Sequence, residues 1–221
     1  MGIVTLDTVK QDPEVAGLIS AADSNLGVIG YTEHGDRHLS VVSERASSLL
    51  ATLGRDKRTA ELAAIAAVLH DIGNVVNRRN HAVLGALLAK PILVRLGMPF
   101  DEINIVIAAI GNHHEGEGEP VSDVSAALIL ADKSDVHETR VRASGNIVED
   151  IHDRVNFAAK DSKLYVRDDG KTIGVEILID PKASSVMEYF EIFLLRMKAC
   201  KIAAKFLGAT FQLVVNGVKL T

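Results

Sequence analysis

The 221 residues carry 24 Lys and Arg against 29 Asp and Glu, a formal net charge of −5, with 48% apolar and 24% charged residues. This composition excludes a disordered chain, and no apolar run approaches the ~20 residues that a helical bilayer span needs. A single cysteine, Cys200, excludes an internal disulfide and suits a reducing cytoplasm; it reads as a small buried hydrophobe rather than a nucleophile. The N-terminal stretch shows no basic segment leading into an apolar one, so no secretory leader is expected and a cytoplasmic location is. Charge is unevenly spread. Residues from Val155 onward hold 10 Lys and Arg against 7 Asp and Glu, and residues 1–154 hold 14 against 22. An acidic, histidine-rich first part suits a cation site and argues against a broad nucleic-acid surface.

Asp12-Pro13-Glu14 reads as N-cap, first-turn proline and first-turn acid of a helix reaching about Ser24. RHLSVVSERASSLLATLG is a helix with Leu39, Val42, Ala46, Leu49, Leu50 and Leu53 on one face and Gly54 as its stop. KRTAELAAIAAVLHDIG is apolar nearly all round and predicts a central buried helix. NHAVLGALLAKPILVRLG predicts a helix that Pro91 bends or splits. PFDEINIVIAAIGNHHE follows, then the loop EGEGEP, then SDVSAALILADKSDVHETR as a helix capped by Ser122. Residues 1–155 therefore read as an all-α domain. The tail changes character: KLYVRDDGKTIGVEILID predicts a hairpin around Asp-Asp-Gly. SVMEYFEIFLLRMKACKIAAKFLG is an amphipathic helix, and TFQLVVNGVKL is a strand or strand pair. Residues 156–221 thus read as a small β-β-α-β unit, and the whole as a mainly α fold with an α+β C-terminal unit. The tail helix carries Val186, Tyr189, Phe190, Phe193, Leu194, Met197, Ala204 and Phe206 on one broad face. That face packs on the small sheet or forms a homodimer surface.

Six of the eight histidines fall in a series within the helical part: His34, His38, His70 beside Asp71, His81, and His113-His114, with Asp132 inside the apolar run ALILADKSD. Burying an imidazole beside a carboxylate is costly unless the two are paired or bound to metal. Imidazole and carboxylate together suit Mn, Fe or Zn better than Mg or Ca. The fragments RHLSVV, AAVLHDIG and ADKSD, with His38, the His70-Asp71 doublet and Asp132, resemble the HD superfamily of metal-dependent phosphohydrolases over roughly residues 30–140.

The resemblance implies that His38, His70, Asp71 and Asp132 ligate one divalent metal. It implies further that His81, His113 and His114 serve a second metal, as in dinuclear HD enzymes, with Asp71 bridging. His34 would be an extra ligand carried by some relatives. One or two ions per chain are implied, Fe or Mn favoured over Zn, Ni or Mg. Two such ions lower the pKa of a bridging water and clamp attacking and leaving oxygens, so a metal-bound hydroxide would cleave a phosphoester of a small molecule, a nucleotide or a related compound. The chain departs from the HD-GYP group in having Asn74 where that group usually has Lys, and in lacking a GYP motif after HHE. Hydrolysis of a cyclic dinucleotide is therefore not expected.

Around this set, Asp71 and Lys133 are the candidate catalytic groups, and Lys133, Arg78 and Arg79 the candidate phosphate binders. For Lys133, Arg78 and Arg79 the bland alternative is a solvent-facing cation. Asp135 lies three residues beyond Asp132 and either orients a histidine or faces solvent. Arg140 and Arg142 are weaker phosphate-binding candidates that read sooner as surface residues, Glu115 is a proton carrier or, more simply, part of a solvated loop, and EGEGEP is a loop with the freedom of a lid. The alternative to an enzyme is a regulatory HD module that binds a nucleotide or protein partner around a structural metal.

Overall fold

Side-chain caps place the helices in the structure, a computed structural model that describes residues 3–116 and 118–220. Asp12 accepts hydrogen bonds from Glu14 N (3.1 Å) and Val15 N (3.2 Å), starting α2 (Pro13–Val28) with proline in its first turn. That helix outruns the expected end at Ser24 by one turn. A short α1 (Leu6–Lys10), opened by a Thr5/Thr8 capping box, precedes it and was not foreseen. The chain continues through α3 (Asp36–Thr52), α4 (Lys57–Leu69), a 3₁₀ turn (Ile72–Val75), α5 (His81–Leu96), α6 (Phe100–Gly111) and α7 (Asp123–Ser134). Asp56 caps α4 and Ser122 caps α7 through their side chains.

The all-round apolar α4 is buried as expected: Ala60 and every residue from Leu62 to Leu69 are inaccessible, enclosed by α3, α6 and α7. Pro91 does not split α5, which runs unbroken from His81 to Leu96. The carbonyl that proline leaves without a donor is that of Leu87, and both residues lie on the exposed face, where water can serve it. The helix expected to run from Ser122 through Arg140 stops at Ser134. Asp135 adopts φ −85°, ψ 86°, and a separate 3₁₀ turn forms at Glu138–Arg140. The break directs the Asp135 carboxylate to His38 and Arg37.

After α8 (Ile151–Ala158) come β1 (Ala159–Arg167), β2 (Thr172–Ile179), α9 (Val186–Phe206), β3 (Thr210–Val215) and β4 (Val218–Lys219). The sheet order is β1-β2-β3-β4, with β2 and β3 parallel across the α9 crossover and the other two pairs antiparallel. The fold is therefore mostly helical but not all-α. The tail has one strand more than β-β-α-β, because Asn216 and Gly217 both take positive φ and turn the chain back. α9 lies against α7 as well as β3. Tyr189, Phe193, Met197, Cys200, Ala203 and Ala204 are buried there, whereas Leu194 and Phe206, expected on the packed face, are exposed. One cluster of buried side chains extends from Val4 to Val215 through helices and sheet alike. Among the described residues no helix is long and apolar enough to cross a membrane. Glu117 of the EGEGEP loop lies outside the described residues.

Candidate metal centre

The C-terminal ends of α4 and α6, the first residue of α5, and the inner faces of α3 and α7 meet at one point. His70 closes α4 and Asp71 opens the 3₁₀ turn; His81 begins α5; His113 follows α6; His38 and Asp132 project from α3 and α7. All six are buried.

Each imidazole is fixed through Nδ1. His70 donates to Ala67 O (2.7 Å), His113 to Ile110 O (2.7 Å), His81 to Arg78 O (3.0 Å) and His34 to Thr32 O (2.7 Å). His38 Nδ1 lies 2.7 Å from Asp135 Oδ2, whose two oxygens also accept from Arg37 at 2.8 Å each. A ring that donates from Nδ1 presents a lone pair at Nε2, and such a second partner is the usual support of a ligating histidine.

Those Nε2 atoms converge. His70 Nε2 is 3.2 Å from Asp71 Oδ2, His38 Nε2 is 3.5 Å from Asp132 Oδ1, and His81 Nε2 is 3.4 Å from Asp71 Oδ1. The Nε2 atoms of His81 and His113 stand 3.2 Å apart. With Nδ1 protonated on both rings, two lone pairs face each other, which is repulsive unless a cation lies between them. The buried Nε2 atoms of His38 and His70 have no hydrogen-bond partner, a cost that a metal ion removes. Three groups have ligand atoms mutually within 4.8 Å: His38, His70 and Asp71; His70, His113 and Asp132; Asp71, His81 and His113. The donor set fits one or two divalent cations. Asp71 directs one oxygen toward His70 and the other toward His81 and so belongs to both the first and the third group.

Burial and neighbouring charges set the ionisation of these groups. Burial drives His34 and His113 well below the ordinary histidine value and His81 down to about 4, so these rings are neutral at neutral pH. Burial opposes charge on His70 too, but the Asp71 and Asp132 carboxylates outweigh it and raise its pKa. Burial would raise Asp71 and Asp132, but His70 beside the first and Lys133 beside the second hold both well below the usual carboxylate range. Asn74 orients Asp71: its Nδ2 donates to Asp71 Oδ1 at 2.9 Å.

His34 and His114 flank the six rather than joining the tight groups. The His34 ring centroid is 5.4 Å from that of His38, and the half-buried His114 ring is 4.9 Å from that of His81. Lys133 is 3% exposed, which rules out its solvent-facing reading. Its Nζ reaches Asp132 Oδ2 at 2.5 Å and Glu115 Oε2 at 2.6 Å. Arg78 comes to the site, its Nη1 3.3 Å from Asn74 Oδ1 and its guanidinium 5.1 Å from the Tyr31 ring centroid. Arg79 does not: it is exposed on the turn and lines no part of the cavity. The turn spends Arg78 inward, and the neighbouring side chain points away.

Arg140 and Glu115, read as bland, and Arg196, which the sequence did not single out, are at the site. Arg140 is 2% exposed, donating to Glu33 O and Asp135 O. Glu115 and Arg196 of α9 pair at 3.2 Å. With His34 and Arg78 these line both the space over the metal centre and an adjoining cavity of about 400 Å³, walled by Tyr31, Ile192 and Phe193. A signal for Arg196 was present: it stands three after Phe193 and four before Cys200, on their buried face. For Glu115 the signal was its place directly after His113-His114.

This architecture, helices converging on a buried His/Asp cluster, is that of a helical metal-binding domain. Residues 36–140 match the family model of the HD domain, and the chain contains an HD domain. Over 108 residues it is 35% identical to a protein named ribonuclease Y from Lawsonia intracellularis, covering 48% of this chain and 18% of that protein. Over 114 residues it is 34% identical to ribonuclease Y of Staphylococcus epidermidis, covering 48% and 20%. The match thus takes in about a fifth of the length of these curated relatives.

Proposed function

We propose that the chain is a metal-dependent phosphohydrolase acting on the phosphoester of a nucleotide or related compound. The observation that carries this reading is the convergence of four Nδ1-anchored imidazoles and two carboxylates, the Nε2 atoms of His38 and His70 unpartnered, with Lys133 in the recess over them and Arg78, Arg140 and Arg196 lining both that recess and the adjoining cavity. In this reading His38, His70, Asp71 and Asp132 hold one divalent ion. His81 and His113, with His114 beside them, hold a second, and Asp71 is shared. The ions supply Lewis acidity and an activated water. Lys133 keeps Asp132 ionised and offsets phosphate charge; Asn74 and Asp135 fix the orientation of Asp71 and His38. Arg78 and Arg140 hold the substrate anion, and the Tyr31–Phe193 walls exclude water from it. A cavity of about 400 Å³ lies at the small end of ligand sites and suits a compact nucleotide.

A second substrate, an RNA phosphodiester, is favoured by the similarity to proteins named ribonuclease Y. The test is elemental analysis of the chain purified without chelator, followed by a panel of nucleoside monophosphates, cyclic nucleotides and short RNA. His70→Ala and Asp71→Ala are expected to lose both metal and turnover. Turnover retained in either variant would overturn the reading, and metal retention with no turnover on the whole panel would favour a regulatory module.

A further inference from the structure

Glu115 reads as a loop residue, yet its carboxylate lies between two cations. Lys133 Nζ approaches one oxygen at 2.6 Å and Arg196 Nε the other at 3.2 Å. Lys133 also contacts Asp132 at 2.5 Å, so the Glu115 carboxylate is one side chain away from the metal centre. It lines the same recess as His81, His113 and Asp132.

We propose that this is the seat of the substrate phosphate, that Arg196 of the C-terminal unit is a phosphate-binding residue, and that Glu115 fills the seat until substrate displaces it. The inference rests on the phosphohydrolase reading above and deepens it. A carboxylate brings one charge and two oxygens between Lys133 and Arg196. A phosphate ester brings up to two charges and three oxygens, and charge-assisted bonds from an arginine to phosphate are among the strong ones. Glu115 can leave without breaking a helix: α6 ends at Gly111, and Gly116, at φ +85°, gives the chain a left-handed turn beside it. The adjoining cavity then receives the rest of the molecule, with Tyr31 and Phe193 as aromatic walls and Ile192 beside them. A volume of about 400 Å³ suits a nucleotide-sized phosphate ester. The sheet and α9 are in this view part of the site, because without α9 the seat has one cation fewer and no outer wall.

The experiment is calorimetric titration of the Mn²⁺-loaded full chain with inorganic phosphate, with metal content measured for each variant. Arg196→Ala is expected to weaken phosphate binding roughly tenfold or more, Arg196→Lys to recover part of the loss, and Glu115→Gln to tighten binding severalfold, all with unchanged metal content. Glu115→Gln serves independently should Arg196→Ala fail to fold, since it leaves α9 intact. The inference is overturned if Arg196→Ala binds phosphate like the unaltered chain, if Glu115→Gln weakens binding, or if the unaltered chain binds no phosphate. Arg196-dependent phosphate binding without turnover of any ester would sink the hydrolytic reading and leave this one standing. Turnover indifferent to Arg196 would do the reverse.

Discussion

Gly73, two residues after the His-Asp doublet, offers a test of how the metal centre is built. A β-carbon at this position would stand 2.0 Å from His81 O and 2.4 Å from Gly85 N, both backbone atoms. Real contacts of this kind do not fall below 3.0 Å, so Gly73→Ala must drive the start of α5 away from the 3₁₀ turn by about 1 Å or more. Those two elements carry His81 and Asp71, whose ligand atoms lie 3.4 Å apart. Overpacking that displaces backbone costs about 3 kcal/mol, the upper end of the usual range. For a chain of this size that lowers the melting temperature by roughly 6–12 °C. Gly85→Ala is the control. Its β-carbon would meet His70 O at 3.1 Å and Ile110 Cγ2 at 3.3 Å, which needs shifts of a few tenths of an ångström. It also gains about 1 kcal/mol of helix propensity inside α5, so its net effect should be near zero. Thermal unfolding followed by circular dichroism on metal-free protein, with metal content after reloading, reads both effects. A Gly73→Ala variant melting within about 2 °C of the unaltered chain and holding full metal would refute the close-approach argument.

Asp135→Asn keeps an acceptor for His38 Nδ1 but removes the charge shared with Arg37, and should weaken metal binding about 10- to 100-fold in a chelator competition. His81→Ala should lower the metal content while leaving the His38–His70–Asp71–Asp132 set able to load; elemental analysis decides. Burial pushes the Cys200 thiol up to about 12, so a thiol reagent at pH 8 should label the folded chain negligibly and the denatured chain fully. Arg95 holds the Asp12 carboxyl below its ordinary value of 3.8. A depressed folded-state pKa means the stabilisation is present at neutral pH and is lost as pH falls through the acid range below 3.8. Asp12→Asn, which keeps the helix cap, should therefore be less stable than the unaltered chain at pH 7, with the difference in urea midpoint shrinking toward pH 2.

The local sequence determined most elements and the centre of the site. Caps at Asp12 and Ser122 placed helix starts, the unbroken apolar text of α4 placed the buried helix, and the His/Asp series contained the four histidines and two carboxylates that converge. These are short-range effects: capping, periodicity and the cost of burying an imidazole act within a few residues, so the sequence displays them. Tertiary structure alone decided the rest. Pro91 was tolerated because its orphaned carbonyl faces water, and α7 stopped at Ser134 because Asp135 had a distant partner in His38. Lys133 and Arg140 point inward, where the Glu115 carboxylate and the Glu33 carbonyl, both distant in sequence, meet them. Arg196, 81 residues beyond Glu115, reached the metal centre only because α9 packs against α7. Which cation meets which anion across such separations is set by the packing of whole elements, and no local pattern encodes it.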